Sequence, residues 1–297
     1  MQAGDLKKIG VVGSGVMGHG IAATFARYGY LVVMVDISED LLRKGIDSIV
    51  NGNFGLKRQV EKGRITEEQL DQTMSRITTS TDLGSMRECG LIVEAVSEDL
   101  KVKGGIFSKL DSICSDETVF ASNTSGIKIS ELCTYVRRGD RFLGMHWFNP
   151  PQVMQLIEVV RGPTTSGESV EFVVSVSKQL GKIPVVVNDG PGFFTTRFIN
   201  SWVMEAYRLL DLGIAGVREM DQMSRLAFGF PMGPFELSDL IGLDTILHIA
   251  EYMFSETGNA AYAPSETLRT LVKEGYLGKK TGSRGGWYDY YGIQPVK

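Results

Sequence analysis

Short runs of β-branched and aliphatic residues punctuate the first two hundred positions, and longer stretches with helical spacing separate them. The runs are KKIGVV (7–12), LVVMVD (31–36), LIVEAV (91–96), TVFAS (118–122), FLGMHWF (142–148), VMQLIEVV (153–160) and PVVV (184–187). A strand buried on both sides has no polar face to alternate with. Continuous apolar strands interleaved with helices therefore predict a mostly parallel sheet covered on both faces. After residue 190 the strand signals stop, and helical periodicity takes over at 193–212, 217–228, 234–255 and 265–274. The pattern predicts an α/β domain over 1–189 and an all-helical domain over 190–297.

One interval breaks the alternation. Far more chain separates Asp36 from Leu91 than a single crossover helix needs. The charged stretch at 39–76 reads as an inserted helical hairpin that turns at Lys62-Gly63-Arg64. Charge-rich helices are usually solvated decoration, while long insertions in compact domains often carry function.

Chemistry first enters at Gly13-Ser14-Gly15-Val16-Met17-Gly18, which follows the first strand and opens a helix predicted over 15–28. Three glycines at this spacing allow a tight turn, a close approach of backbone to a pyrophosphate, and close packing of helix on strand. The helix start adds unpaired N–H groups and the positive end of a dipole. Asp36 closes the second strand 18 residues after Gly18, where an acid hydrogen-bonds a ribose 2′-hydroxyl. A carboxylate there repels a 2′-phosphate, and neither Ile37 nor Ser38 supplies a compensating cation, so NAD is expected over NADP. Strand, glycines, helix, strand and acid in this order predict a Rossmann-type dinucleotide domain with Gly13, Gly15, Val16, Met17, Gly18 and Asp36 at the cofactor. His19, one residue further, is read as a packing or surface residue.

A second constellation spans HWFNPPQVMQLIE, residues 146–158. The two prolines interrupt the apolar strands on either side, since proline has no N–H and restrains its predecessor. A turn centred near Gln152 makes His146 and Glu158 neighbours if the two strands lie side by side. A histidine held by a carboxylate can act as a general base; the bland reading is a satisfied histidine at a strand end with an unrelated glutamate. Ser125 lies in a loop beyond the carboxyl end of a strand, where open α/β sheets bind ligands, and it reads equally as a turn residue.

Composition narrows the classes without adding chemistry. A formal charge of -4 and a pI near 5.6 give no footprint for nucleic acid. Cys89, Cys114 and Cys133 lack metal-ligand spacing and read as small apolar filler in a reducing compartment, so no metal is expected. No apolar run is long enough to span a bilayer, and the N-terminus has no targeting character, which together predict a cytoplasmic protein away from membranes.

The chain resembles the L-3-hydroxyacyl-CoA dehydrogenase family, and within it the short-chain 3-hydroxybutyryl-CoA enzymes. The resemblance rests on GSGVMGHGIA, LIVEAVSEDLKVK, ASNTSGIKIS, GMHWFNPPQVMQLIEVV, DGPGF, PMGPFELSDLIGLD and GYLGKKTG, in the family's order over nearly the whole length. It implies reversible NAD-dependent oxidation of an L-3-hydroxyacyl-CoA to the 3-ketoacyl-CoA, a reaction of fatty acid metabolism among other pathways. By that resemblance His146 is the general base and Glu158 its partner. Ser125 bonds the substrate's reacting oxygen, Asn149 lines the active site, and Glu98 and Lys103 lie beside the nicotinamide ribose. The hairpin contributes to the CoA pocket, with Ser48 and Lys57 as its candidates.

The family's helical domain also implies a homodimer. The helix FFTTRFINSWVMEAYRLLDLG agrees, because it is apolar over more than one stripe and is thus either central or shared with a partner. One departure stands out. The family motif P-G-F-x-x-N-R reads Pro191-Gly192-Phe193-Phe194-Thr195-Thr196-Arg197, so Thr196 offers a hydroxyl where an amide is expected. Two alternatives stay open: a related dehydrogenase of free hydroxy or sugar acids without CoA, and a non-catalytic NAD(H)-binding protein.

Overall fold

The computed structural model describes residues 3–296. The chain forms two compact units that meet in sequence between Phe193 and Phe194, a few residues beyond the expected boundary at 189.

The first unit is built on eight strands. These are β1 (Lys8–Val12), β2 (Leu31–Val35), β3 (Ile77–Ser80), β4 (Leu91–Glu94), β5 (Val119–Ser122), β6 (Phe142–Trp147), β7 (Leu156–Arg161) and β8 (Ile183–Asn188). Their order across the sheet is β3-β2-β1-β4-β5-β6-β7-β8. Every neighbouring pair is parallel except β6 and β7, which run antiparallel. On one face lie α1 (Val16–Arg27), α2 (Glu39–Asn51), α3 (Leu56–Glu61) and α4 (Glu67–Ser75). On the other lie α5 (Leu100–Ile113) and α6 (Ile129–Leu132), while α7 (Gly167–Gln179) joins the first set. Alternate residues of each strand feed the two layers: Ile9, Val32, Val93 and Trp147 pack with Phe25 of α1, whereas Val33, Ile92 and Phe142 pack with Phe107 of α5. The fully buried rings of Phe107 and Phe142 meet edge to face with centroids 4.7 Å apart.

Three features depart from the sequence expectation. The inserted hairpin contains three helices, because the chain breaks after α2 at Gly52 and restarts after Gly55. At Gly52 a Cβ would lie 2.4 Å from the Ser48 carbonyl, so the turn is tighter than a side chain allows. The Lys62-Gly63-Arg64 turn is present, and Thr66 then starts α4 with a capping box to Gln69. Secondly, β3 was not expected: ITTS has no apolar run, and it pairs only with β2 at the sheet's edge. Thirdly, β8 is the opposite edge, with Ile183, Val185 and Val186 56%, 45% and 48% exposed rather than covered on both faces.

The second unit is helical: α8 (Thr195–Asp211), α9 (Val217–Phe228), α10 (Pro234–Ile241), α11 (Leu243–Thr257), α12 (Glu266–Lys273) and α13 (Trp287–Tyr291). The helix expected at 234–255 is divided at Gly242, whose φ of 106° is closed to residues with a side chain. Its core centres on Trp287, which donates its indole N–H to the Tyr207 hydroxyl at 3.0 Å and packs edge-on against Phe235. Two buried carboxylates serve as helix caps. Asp221 accepts the Phe235 and Glu236 N–H groups at the start of α10 and the Tyr288 hydroxyl, and Asp239 accepts the Trp287 N–H at the start of α13. Burial pushes both carboxyls up to about 6. No helix among the described residues is long and apolar enough to cross a membrane.

Candidate active site

Because β1, β4, β5 and β6 are parallel neighbours, the loops leaving Val12, Glu94, Ser122 and Trp147 emerge along one edge of the sheet. Open α/β sheets bind ligands at this carboxyl edge, and most of the candidate residues stand there.

The glycine turn has the build of a phosphate cradle. Gly13, at φ 97°, lies so close to β4 that a Cβ would fall 2.6 Å from the Ala95 carbonyl. At Gly18 a Cβ would come within 1.9 Å of the Gly13 carbonyl, so helix and turn are locked together. At Gly15 a Cβ would meet nothing within 4 Å, which leaves the backbone open to a ligand. Gly15 is also the N-cap of α1 and has no side-chain cap, so the first N–H groups of the helix are free to face an anion. Val16 is exposed in the first turn, and Met17 packs against the core. Asp36 lies just past β2, where Oδ2 accepts both the N–H and the hydroxyl of Ser14 at 2.7 Å. These residues fit a dinucleotide's pyrophosphate and ribose. His19 lies on the same helix turn with Nδ1 2.8 Å from the Gly15 carbonyl, and desolvation lowers its pKa.

Past β4, Glu98 does not stand free. Its Oε1 accepts the Thr124 hydroxyl and the N–H groups of Ser125 and Gly126, so it clamps the loop that carries Ser125. Lys103, expected beside the ribose, is 1% exposed. Its ammonium lies 2.7 Å from Glu94, 3.2 Å from Glu98 and 3.4 Å from the Val96 carbonyl, which accounts for its three protons. Lys103 therefore bears on the edge through Glu98. Glu94 was not singled out from the sequence, although an acid within an apolar strand was the available signal.

His146 and Glu158 are directly paired in the antiparallel register of β6 and β7, as the turn about Gln152 predicts. Nδ1 and Oε2 are 2.8 Å apart, and the residues are 4% and 1% exposed. With the Nδ1 proton donated to the carboxylate, Nε2 is left as the basic nitrogen. The ring also packs against Phe148, 4.5 Å between centroids, and Phe193.

The connecting turn holds Asn149, exposed and joined to Pro150 by a cis bond. Val153 and Met154 donate to the Pro150 carbonyl, which delays β7 until Leu156 instead of the expected 153. The buried Lys182 ammonium fastens this turn through the carbonyls of Pro151 and Met154, at 2.6 and 2.8 Å. Asn123 also escaped the sequence reading: its side-chain oxygen accepts the Trp147 N–H at 2.8 Å, tying the serine loop to the histidine strand.

The remaining candidates stand on helices. Ser48 is half-buried on α2 and Lys57 exposed on α3. Thr196 is in the first turn of α8. Among the described residues, no group of three His, Cys, Asp or Glu side chains is arranged to hold a metal ion.

Known proteins are similar to this chain over almost its whole length. Residues 8–190 match the family described as 3-hydroxyacyl-CoA dehydrogenase, NAD binding domain, and residues 192–290 match 3-hydroxyacyl-CoA dehydrogenase, C-terminal domain. The chain is 42% identical to the mitochondrial hydroxyacyl-coenzyme A dehydrogenase of Homo sapiens, covering 96% of this chain and 91% of that one. It is 38% identical to a 3-hydroxybutyryl-CoA dehydrogenase of Bradyrhizobium diazoefficiens, covering 99% of both. The crystal structure of (S)-3-hydroxybutyryl-CoA dehydrogenase from Ralstonia eutropha superposes with a TM-score of 0.90 at 37% identity, over 98% of this chain and 100% of that one.

Proposed function

The chain belongs to the 3-hydroxyacyl-CoA dehydrogenase family, and on that premise we propose that His146, oriented by Glu158, is the general base acting on a short 3-hydroxyacyl thioester. The overall reaction is NAD-dependent oxidation of a 3-hydroxyacyl-CoA. NAD, when bound, supplies the hydride acceptor. Gly13, Gly15 and Gly18 hold its pyrophosphate with the N–H groups of α1, and Asp36 bonds its adenosine ribose.

The observation that carries the reading is the buried pair 2.8 Å apart at the sheet's carboxyl edge. Nε2 of His146 takes the 3-hydroxyl proton as C3 loses hydride, and Glu158 stabilises the imidazolium that results. Ser125 donates a hydrogen bond to the reacting oxygen, and Asn149 lines the same edge. Holding alcohol, base and hydride acceptor together removes the entropic cost of bringing them into contact. In reverse, the imidazolium returns its proton to the ketone oxygen. Ser48 and Lys57 are assigned to the CoA moiety and Thr196 to the substrate on resemblance alone.

The proposal extends to a four-carbon acyl chain, a homodimer and a cytoplasmic setting. The names of the bacterial relatives support the acyl length. Exposed apolar side chains of the helical unit, Phe194, Leu212, Ile214, Leu226 and Phe228, support self-association. Three free cysteines fit a reducing compartment.

The deciding experiment follows NADH absorbance with acetoacetyl-CoA beside free acetoacetate. Rapid loss with the thioester alone is expected. Equal rates with both would replace the thioester reading by one for free keto acids. Light scattering tests the dimer, and a monomeric mass at assay concentration would refute it.

A further inference from the structure

Glu94 ends β4 with 0% of its surface exposed, a place where an unanswered carboxylate would cost several kcal/mol. Three donors answer it. Oε1 accepts the Lys103 ammonium and the Val96 N–H, each at 2.7 Å, and Oε2 accepts the Ser122 hydroxyl at 2.6 Å. Ser122 ends β5, immediately before the loop that bears Ser125. Its hydroxyl oxygen in turn accepts the Thr124 N–H at 3.3 Å. On the other side, Lys103 passes from Glu94 to Glu98, and Glu98 accepts the N–H groups of Ser125 and Gly126 at 3.0 and 3.2 Å. One buried carboxylate thus grips the segment from Ser122 to Gly126 at both ends. It holds the near end directly and the far end through an ammonium and a second carboxylate.

We propose that Glu94 is a positioning residue for Ser125, fixing where the serine hydroxyl stands without touching substrate itself. Buried ion clusters seldom add net stability over apolar packing of the same volume. What this one supplies is direction: each oxygen of the two carboxylates faces a particular donor on the loop or the lysine that links them. Glu98 is 38% exposed at its side chain while Lys103 and Glu94 are 1% and 0%, so the chain of bonds runs from the core outward to the serine loop. The Asn123 oxygen, bonded to the Trp147 N–H, ties that loop to the strand of His146. Displacement of the loop would therefore separate the hydroxyl donor from the base.

The proposal rests on the reading of Ser125 as the donor to the reacting oxygen, and a double-mutant cycle tests the two separately. Glu94→Gln keeps the size of the side chain and removes the charge. On the wild-type background it is expected to lower kcat about tenfold, within the range of coupling between groups in one network. NADH binding, read by fluorescence titration, is expected to fall less than kcat does, because the glycine cradle is untouched and only the side of the site held by Lys103 and Glu98 is disturbed. On a Ser125→Ala background the same substitution is expected to cost less than about twofold further. Equal losses on both backgrounds, or wild-type turnover in Glu94→Gln, would overturn the proposal. Wild-type turnover in Ser125→Ala alone would overturn the serine assignment, and the positioning role with it. Should Glu94→Gln not yield folded protein, Ser122→Ala cuts only the near arm and is carried through the same cycle with the same criteria.

Discussion

Asp36 Oδ2 receives both donors of Ser14, the backbone N–H and the hydroxyl, each at 2.7 Å. The acid expected at the ribose is therefore also the brace of the glycine turn. Its Oδ1 accepts the Ile37 N–H, and a carboxylate has acceptor sites to spare for a ribose hydroxyl. Asp36→Asn is expected to weaken NADH binding about tenfold or more, as for a hydrogen bond to a charged group, and to narrow the preference over NADPH. Fluorescence titration with both cofactors checks this. An unchanged ratio of the two affinities would mean that the carboxylate serves the turn alone.

Removing the proposed base is the plainest test of the His146–Glu158 pair. His146→Gln is expected to lower kcat at least about a hundredfold, the low end for losing a general base. Glu158→Gln should lower kcat less than His146→Gln does, because the ring stays in place but loses its anionic partner. A fully active His146→Gln enzyme would remove histidine from the mechanism.

Asn200, on α8, is 2% exposed, and neither atom of its amide has a hydrogen-bond partner. A buried amide left unpaired costs about 1–3 kcal/mol. Asn200→Leu, which keeps the branched shape without the polar atoms, is therefore expected to raise the melting temperature. A fall would show that the amide is hydrogen-bonded in solution.

The capping carboxylates Asp221 and Asp239 carry a pH signature. Burial raises both from 3.8 to about 6, so the folded unit binds these protons more tightly than the unfolded chain does. Stability from this source is fully present below the unfolded value and is lost as pH rises through about 6. Asp221→Asn imitates the protonated form. The melting temperature of the variant minus that of the parent is accordingly expected to increase between pH 4 and pH 7, and a flat or falling difference would contradict the raised value.

Much of this site was legible because its signals are local. The glycine spacing, the acid after β2 and the equal arms from His146 and Glu158 to the turn all survive folding unchanged, since each depends on a strand end and a short connection. Strand β3 was hidden because four residues of ITTS carry no apolar period, and only pairing with β2 makes them a strand. PVVV gave the right element and the wrong surroundings: apolarity marks a strand but does not say whether a helix covers it. The resemblance sets Lys103 beside the nicotinamide ribose but says nothing of its burial or of the carboxylates that hold it. Its partner Glu94 lies nine residues away at the end of β4, across the connection to α5 and the first turn of that helix, and the fold of this connection brings the two together. The division at Gly242 was missed because apolar residues continue on both sides of it.

The single reversal in the sheet makes chain length a chemical variable. Along β6 and β7, Gly144, His146, Glu158 and Val160 share one face, while Met145, Trp147, Ile157 and Val159 share the other. Deleting one residue between Pro151 and Gln155, with the turn otherwise kept, would shift the register by a single step and exchange the faces of β7. Val159 would then stand opposite the imidazole, and Glu158 would point into the apolar layer beside Met145 and Trp147. Substitutions in the exposed part of this connection can be tolerated, but single-residue insertions and deletions cannot. Across descendants of this sequence, the spacing of twelve between base and acid should outlast the identities of the residues that span it.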